Sequence, residues 1–312
     1  MSRLPAGAPA SAAESAATTQ PHRSGGAAYA LLAYTIWGVA PAYFVWVGAA
    51  LPFEILAHRV LWSIPLLALL LTFTAQWRVL FGLDLRTLAA LFVSGALIGA
   101  NWGVFIWAVD AGKILETSLG YYLNPLINVV FGVLLLRERL RLVQWMAVTL
   151  AALGVANEVW YLGSLPWYGL LLAITFALYG LVRKITGVGP VVGLAVETAL
   201  IGPLALAYLI WIHTQALSVT AGGDFTLLWM LALGGLVTIV PLLCFTAAAL
   251  RMPLSILGFF QYLAPTLSLL LAVFVYDEAF RAHQFVTFGL IWLALAAFSM
   301  EGWWHTSNNR RV

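Results

Sequence analysis

The stretch YLNPLINVVFGVLLLRERLRLVQWMAVTLAALGVA, residues 122–156, returns without a gap 140 residues later as YLAPTLSLLLAVFVYDEAFRAHQFVTFGLIWLALA, residues 262–296. Under that shift Tyr122, Leu123, Pro125, Val133, Glu138, Arg141, Gln144, Leu150, Leu153 and Ala156 each meet an identical residue. Upstream, a shift of 138 superposes Leu56, Ala57, Pro65 and Leu66 on Leu194, Ala195, Pro203 and Leu204. The chain is therefore read as two versions of one unit, and such repeats put a substrate site where the units meet.

Composition identifies the solvent. The chain is 63% hydrophobic and 9% charged, with a mean hydropathy of +0.96, whereas a soluble domain carries about 25% charged residues. A lipid bilayer is the expected partner. The basic isoelectric point near 9.1 reflects 15 Lys+Arg against 12 Asp+Glu. No basic stripe or recognition motif accompanies it, so nucleic acid is not an expected partner. The single cysteine, Cys244, excludes an intrachain disulfide. Residues 1–26 are rich in Ala, Ser, Thr and Pro, lack the apolar run of a signal peptide, and read as a disordered cytoplasmic tail.

About 20 apolar residues cross the hydrocarbon core. Candidate spans are 27–47, 53–73, 88–109, 114–136, 142–160, 166–182, 191–212, 227–250, 254–276 and 284–300. Trp46, Trp77, Trp145, Trp160, Trp167, Trp303 and Trp304 fall near span ends, as expected of rings that prefer the headgroup layer. With the N-terminus inside, twelve of the 15 basic residues lie on the cytoplasmic side, among them Arg78, Arg86, Arg137, Arg139, Arg141, Arg183, Lys184 and Arg251. Lys113 and Arg281 fall outside, and Arg59 lies within the second span. The positive-inside rule then puts both termini in the cytoplasm. Five spans per half is an odd number, so the second half enters from the opposite side. The expected fold is an all-α polytopic membrane protein with ten transmembrane helices as two inverted five-helix repeats. Residues 27–160 form the first repeat and 161–302 the second, with 303–312 as a cytoplasmic tail.

The fourth span carries Thr117, Tyr121, Asn124 and Asn128 at a spacing that lays them along one helix face. Pro125 among them removes a backbone hydrogen bond, which predicts a kink. The ninth span repeats the design with Ser255, Gln261 and Ser268 around Pro265. Interhelical hydrogen bonding alone explains a single such group; two repeat-related stripes beside prolines point to the lining of a cavity. Candidate substrate contacts are therefore Tyr121, Asn124, Asn128, Gln261, Tyr262 and Ser268. Asn101 and Trp107 of the third span join them, beside a ridge of Gly95, Gly99 and Gly103 that reads as close helix packing.

Embedded ionisable groups are the candidates for ion coupling or gating. Glu54 and His58 stand one turn apart and are followed by Arg59, whose repeat partner under the 138 shift is Glu197. Arg59 either pairs with Glu197, or with a carboxylate of the substrate, or snorkels to the outer headgroups. His58 is a possible proton relay or a structural histidine. Glu116 sits near the mouth of the stripe, and Asp110 with Lys113 reads as an exposed pair. Arg137-Glu138-Arg139 and Asp277-Glu278 end the fourth and ninth spans and read as solvated helix termini with an ion pair; Glu138 and Glu278 are identical repeat positions, so a role in folding or gating is the alternative reading.

No G-x-x-x-x-G-K-[ST], H-E-x-x-H or G-x-S-x-G motif and no zinc-spaced cluster occurs, so no cofactor or metal is expected. A carrier is favoured over an enzyme on the same ground. The rivals are a membrane enzyme or lipid flippase using Glu54 and His58 as acid and base, and a dimeric channel.

Trp37-Gly38, Glu54-Ile-Leu-Ala-His58-Arg59, Leu119-Gly-Tyr-Tyr-Leu-Asn-Pro125 and Arg137-Glu138-Arg139-Leu140 occur in an order that resembles a known group. So do Gly163-Ser-Leu-Pro-Trp167, Leu178-Tyr-Gly180 and Phe259-Phe-Gln-Tyr-Leu-Ala-Pro265. Together, over residues 27–302, they resemble the EamA-type RarD branch of the drug/metabolite transporter superfamily. The resemblance implies a permease of the bacterial cytoplasmic membrane that moves a small metabolite or drug-like solute. Coupled protons and a homodimeric assembly are compatible with it. Ala264 departs from the pattern at the position equivalent to Asn124, so the two polar stripes are unequal.

Overall fold

In lipid each backbone N–H and C=O must find its partner within the protein, which leaves helices for a chain this apolar. The computed structural model describes residues 25–222, 225–277 and 281–309, and all the regular elements among them are helices. They are α1 (Gly26–Trp46), α2 (Pro52–Phe73), a short α3 (Trp77–Phe81), α4 (Leu85–Asp110), α5 (Ile114–Leu134) and α6 (Leu142–Leu162). There follow α7 (Trp167–Thr186), α8 (Pro190–Thr214), a 3-10 turn (Val219–Gly222), α9 (Phe225–Arg251), α10 (Leu254–Gln261), α11 (Leu263–Val275) and α12 (Ala282–Asn309). With α10 and α11 taken as one span, ten helices among the described residues are long and apolar enough to cross a membrane. Residues 1–24, Glu278 and Arg310–Arg311 lie outside the described residues, as do the side chains of Trp303 and Trp304. Trp46, Trp145, Trp160 and Trp167 are exposed at span ends, as interfacial rings should be.

Local chemistry sets the helix limits. Pro52 and Pro190 open α2 and α8, where a missing N–H costs nothing. Gly163 and Gly187 close α6 and α7 in the left-handed region, at φ 72° and 68°. The ninth span breaks between Gln261 and Leu263, upstream of Pro265. Proline has no N–H for the carbonyl four residues earlier, which here is that of Gln261, so the interruption falls one turn before the ring. Pro125 lies within an unbroken α5.

The backbone carries the duplication as well as the sequence does. Among the described residues, the non-glycine residues at positive φ are Ala75 (53°), Arg137 (55°), Ala216 (55°) and Asp277 (52°). Arg137 and Asp277 are separated by the repeat shift and follow the fourth and ninth spans; Ala75 and Ala216 follow the second and seventh. Each such residue costs on the order of 1 kcal/mol, so the same disfavoured turn has been kept at both copies of two helix ends. Packing follows suit: α2 lies on α8, α5 on α10 and α6 on α12, each helix against its own counterpart. The pairs α1–α9 and α7–α4, and α5–α7 and α11–α1, exchange when the halves are exchanged.

Without a hydrophobic force between helices in lipid, close contact rests on small residues. A Cβ on Gly95 would meet the Glu197 backbone of α8 at 3.3 Å, and one on Gly99 would meet Ile201 at 3.4 Å, whereas Gly103 faces open space. The tightest crossing joins α5 and α7. There a Cβ on Gly169 would lie 2.5 Å from the Glu116 carbonyl oxygen, and one on Gly120 would lie 3.0 Å from that of Gly169. A Gly169→Val protein is expected to lose about 1–3 kcal/mol of stability, because backbone cannot yield as a side-chain tip does. The unfolding midpoint in detergent measures this, and an unchanged midpoint would contradict the crossing.

Candidate functional site

The polar face of α5 meets the end of α10 inside the bundle. Asn128 is fully buried, and its Nδ2 donates to Gln261 Oε1 at 2.6 Å and to Asn124 Oδ1 at 3.3 Å. Gln261 holds this position because it is the last residue of α10, directly before the break that Pro265 causes. Asn128 Oδ1 is buried without a donor, and the buried Tyr34 hydroxyl lies beside Gln261 with no hydrogen bond of ordinary length. A buried polar group left unpaired is costly, so this junction can accept a polar partner. Two turns up α5, Tyr121 keeps 52% of its surface accessible and packs against Phe105 with ring centroids 6.4 Å apart. Accessible surface thus ends near Asn124, above the buried Asn128 (0%) and Gln261 (5%).

Arg59 of α2 lies within electrostatic reach of Tyr121. Its Nε donates to Thr238 Oγ1 of α9 at 2.8 Å. Its guanidinium carbon lies 5.2 Å from the Phe44 ring centroid and 5.5 Å from that of Trp102. The Tyr43 and Tyr121 hydroxyls are its electrostatic neighbours.

Glu197 does not pair with Arg59, which corrects one of the expected pairings. Its carboxylate faces Arg183 Nε at 3.4 Å, with both side chains shut off from solvent. Ser94 Oγ also donates to Glu197, and Tyr179 OH does so at 3.4 Å. The repeat relates Arg59 to Glu197 without bringing them together, because each is taken by a hydroxyl from the helix beside it, Thr238 on α9 and Ser94 on α4. A small cavity of about 10 Å³ lies between, lined by Glu197, Thr198, Thr238, Ser63 and Trp102 among others. Sequence reading put Arg183 and Lys184 in the loop after the sixth span; both lie in the last turn of α7. Lys184 Nζ donates to the Ala249 and Met252 carbonyls at 2.8 and 2.5 Å, closing the end of α9.

The other expected residues are distributed as follows. Asn101 Nδ2 donates to Leu172 O and Thr175 Oγ1, both at 2.8 Å, tying α4 to α7. Ser268 Oγ donates to Gly38 O at 2.9 Å on α1. Tyr262 is buried in the cluster formed with α5, α6 and α12, and its hydroxyl donates to Tyr122 O at 3.3 Å. Trp107 is exposed and packs edge-on against Tyr168. Lys113 pairs with Glu116 at 3.2 Å, and not with Asp110. Glu54 is fully buried and accepts from Ser218 Oγ at 2.6 Å and Val219 N at 3.4 Å; it forms no ion pair with His58. His58 instead faces a depression of about 280 Å³ with His213, Thr214, Ser218 and Thr220.

Comparison with known proteins now decides the family. Residues 24–157 match the model of the EamA-like transporter family. A protein of Escherichia coli K12 named RarD is 48% identical over 279 residues, covering 88% of this chain and 94% of its own. The chain belongs to the EamA-like transporter family, as a RarD-type member. A Vibrio cholerae relative described as an uncharacterized transporter is 48% identical over 275 residues, covering 88% of this chain and 91% of its own. A Bacillus subtilis relative with the same description, YojE, is 41% identical over 283 residues, with 88% and 94% covered. A solved crystal structure that is 19% identical superposes with a TM-score of 0.71 over 88% of this chain and 97% of that one, which shows the fold. This EamA-type chain is a membrane transporter and a multi-pass protein of the bacterial inner membrane.

Proposed function

We propose that the chain is a secondary carrier that moves a small organic solute by alternating access, with its two five-helix halves inverted about an axis in the membrane plane and both termini cytoplasmic. The observation that carries this reading is the junction of Asn124 and Asn128 with Gln261, open on the Tyr121 side and closed beneath. The closed end is the one where Glu138, Arg183 and Lys184 tie neighbouring helices, the side to which the arginines and lysines assign the cytoplasm. On this reading one state opens to the outside at Tyr121, and its counterpart breaks those ties and closes over Tyr121. Glu54, held by Ser218, is not arranged as an acid–base partner of His58, which favours a carrier over a membrane enzyme.

Uptake into proteoliposomes of a solute found by comparing metabolites of cells with and without the protein tests the reading. Imposing a pH gradient or a membrane potential identifies the coupling ion. Alanine at Tyr121, Asn124 or Gln261 is expected to lower uptake about tenfold or more while the unfolding midpoint stays within a few degrees. Undiminished uptake in all three would remove the site.

A further inference from the structure

Arg59 lies within the second span, on α2, beside the Phe44 and Trp102 rings. Its Nε is occupied by Thr238. Among the described residues its two terminal amino groups make no hydrogen bond and no ion pair. The Phe44 and Trp102 rings lie 5.2 and 5.5 Å from the guanidinium carbon, and Tyr43 and Tyr121 are within its electrostatic reach. Its repeat counterpart, Glu197, is by contrast fully engaged by Arg183, Ser94 and Tyr179. The two halves thus place one ion-paired anion and one cation without a described counter-ion at related positions.

A membrane-embedded cation without a counter-ion is expensive. A guanidinium with its paired N–H edge free is shaped for two parallel hydrogen bonds to a carboxylate or similar oxyanion. The two rings favour an apolar or aromatic body behind that head, and they tolerate the bare cation between loading events through their quadrupoles. We propose that Arg59 is the head-group site for an organic monoanion, a carboxylate borne on an apolar or aromatic body. The anion sits between Arg59 and the Tyr121 hydroxyl, and its body lies against Trp102 and Phe44. The α2 helix packs chiefly on α8 and α9, and α5 on α7 and α10, so a ligand bridging Arg59 and Tyr121 would tie two helices that are held mainly by other partners. This inference rests on the carrier reading only for the movement of the anion, not for its binding.

The test uses three probes that share a ring and chain and differ in head charge: 3-phenylpropanoate, 3-phenylpropanamide and 3-phenylpropylamine. Full-length protein in detergent is titrated with each, and binding is read from tryptophan fluorescence and from the shift in unfolding midpoint. The carboxylate is expected to bind about tenfold or more tightly than the amide, the size expected of a charge-assisted fork. Arg59→Gln abolishes that preference and Arg59→Lys keeps part of it, since a point charge survives without the fork. Should Arg59→Gln not fold, the head-group order in the native protein and in Tyr121→Phe, where the preference shrinks, decides alone. Equal binding of carboxylate and amide, preference for the amine, no binding of any probe, or a preference that survives Arg59→Gln each overturns the proposal. Counterflow of labelled 3-phenylpropanoate in proteoliposomes separates this from the carrier reading. Selective binding without counterflow upholds the anion site and removes the carrier. Transport of uncharged solutes that ignores Arg59→Gln upholds the carrier and overturns the anion site.

Discussion

An Arg183→Met protein is expected to be about 3–5 kcal/mol less stable than the native one, a loss that threatens its ability to fold. The reason is what the substitution leaves behind. The Glu197 carboxylate lies at 1% exposure, and the Arg183 guanidinium facing it is fully buried. Removing the cation strands an anion in a low-dielectric interior, where Ser94 and Tyr179 donate to it without supplying charge. The converse change, Glu197→Gln, strands Arg183, whose Nε and Nη1 have no hydrogen-bond partner and whose Nη2 reaches the Val188 and Gly189 carbonyls only at 3.5 Å. Replacing both, Arg183→Met with Glu197→Gln, removes both charges and keeps an acceptor for Ser94. The double variant is expected to recover more than half of the loss, because buried ion pairs are worth little net even though breaking them is costly. Unfolding midpoints of the three variants in one detergent check this. Strictly additive losses would show that the pair is not coupled.

The second large effect is expected from Glu138→Ala, at about 2–3 kcal/mol. Sequence reading took Glu138 for a solvated helix end; the structure gives it a partner across the bundle. Its Oε1 accepts from Leu254 N at 2.7 Å, and its Oε2 accepts from Ser255 N at 2.9 Å and Ser255 Oγ at 2.6 Å. These are the first N–H groups of α10, whose own preceding residue is Pro253 and gives no side-chain cap. A carboxylate at a helix N-terminus meets both unpaired donors and the positive end of the dipole. Arg137, in the left-handed conformation at φ 55°, turns the chain so that Glu138 points back to α10. Gly132 leaves the room, since a Cβ there would fall 3.0 Å from Ser255 N. Glu138→Gln should lie between native and alanine, because an amide oxygen still accepts one of these bonds. If the tie belongs to the closed cytoplasmic gate, the alanine variant also shifts the protein toward the inward-open state. Cysteine labelling from the cytoplasmic side at Ser255→Cys, compared with and without Glu138, reads that shift. A midpoint and a labelling rate both unchanged would show that the contact is idle.

The spans were legible because lipid imposes one strong rule, about 20 apolar residues with helical hydrogen bonding, on each of them. All ten were placed to within a few residues. The contact of Asn128 with Asn124 and Gln261 was legible for a related reason: all three are polar where polarity is costly, and the repeat aligned their helices before any contact was known. Symmetry misled where neighbours differ. It set Arg59 opposite Glu197, but the side chains that reach each of them come from α9, α4 and α7, which the alignment of one half on the other does not specify. Tyr262, Ser268 and Asn101 are polar as well, yet they turn toward a neighbouring helix. One sequence signal for Arg183 existed and was weak: Gly193 in α8, where a Cβ would overlap the guanidinium.

By itself, then, the sequence determined that this protein is an all-helical bundle built from a duplicated unit, because hydropathy and internal identity are properties of the chain read in one dimension. Only the tertiary structure decided which embedded charge is ion-paired and which is not. Arg183 and Glu197 are fourteen positions apart on consecutive helices and meet through the tight turn between α7 and α8, whereas Arg59 meets the Thr238 hydroxyl of α9 and no described carboxylate. Whether a charge in lipid is a staple or a binding group depends on the distance to its nearest counter-ion, and that distance exists only in the folded molecule.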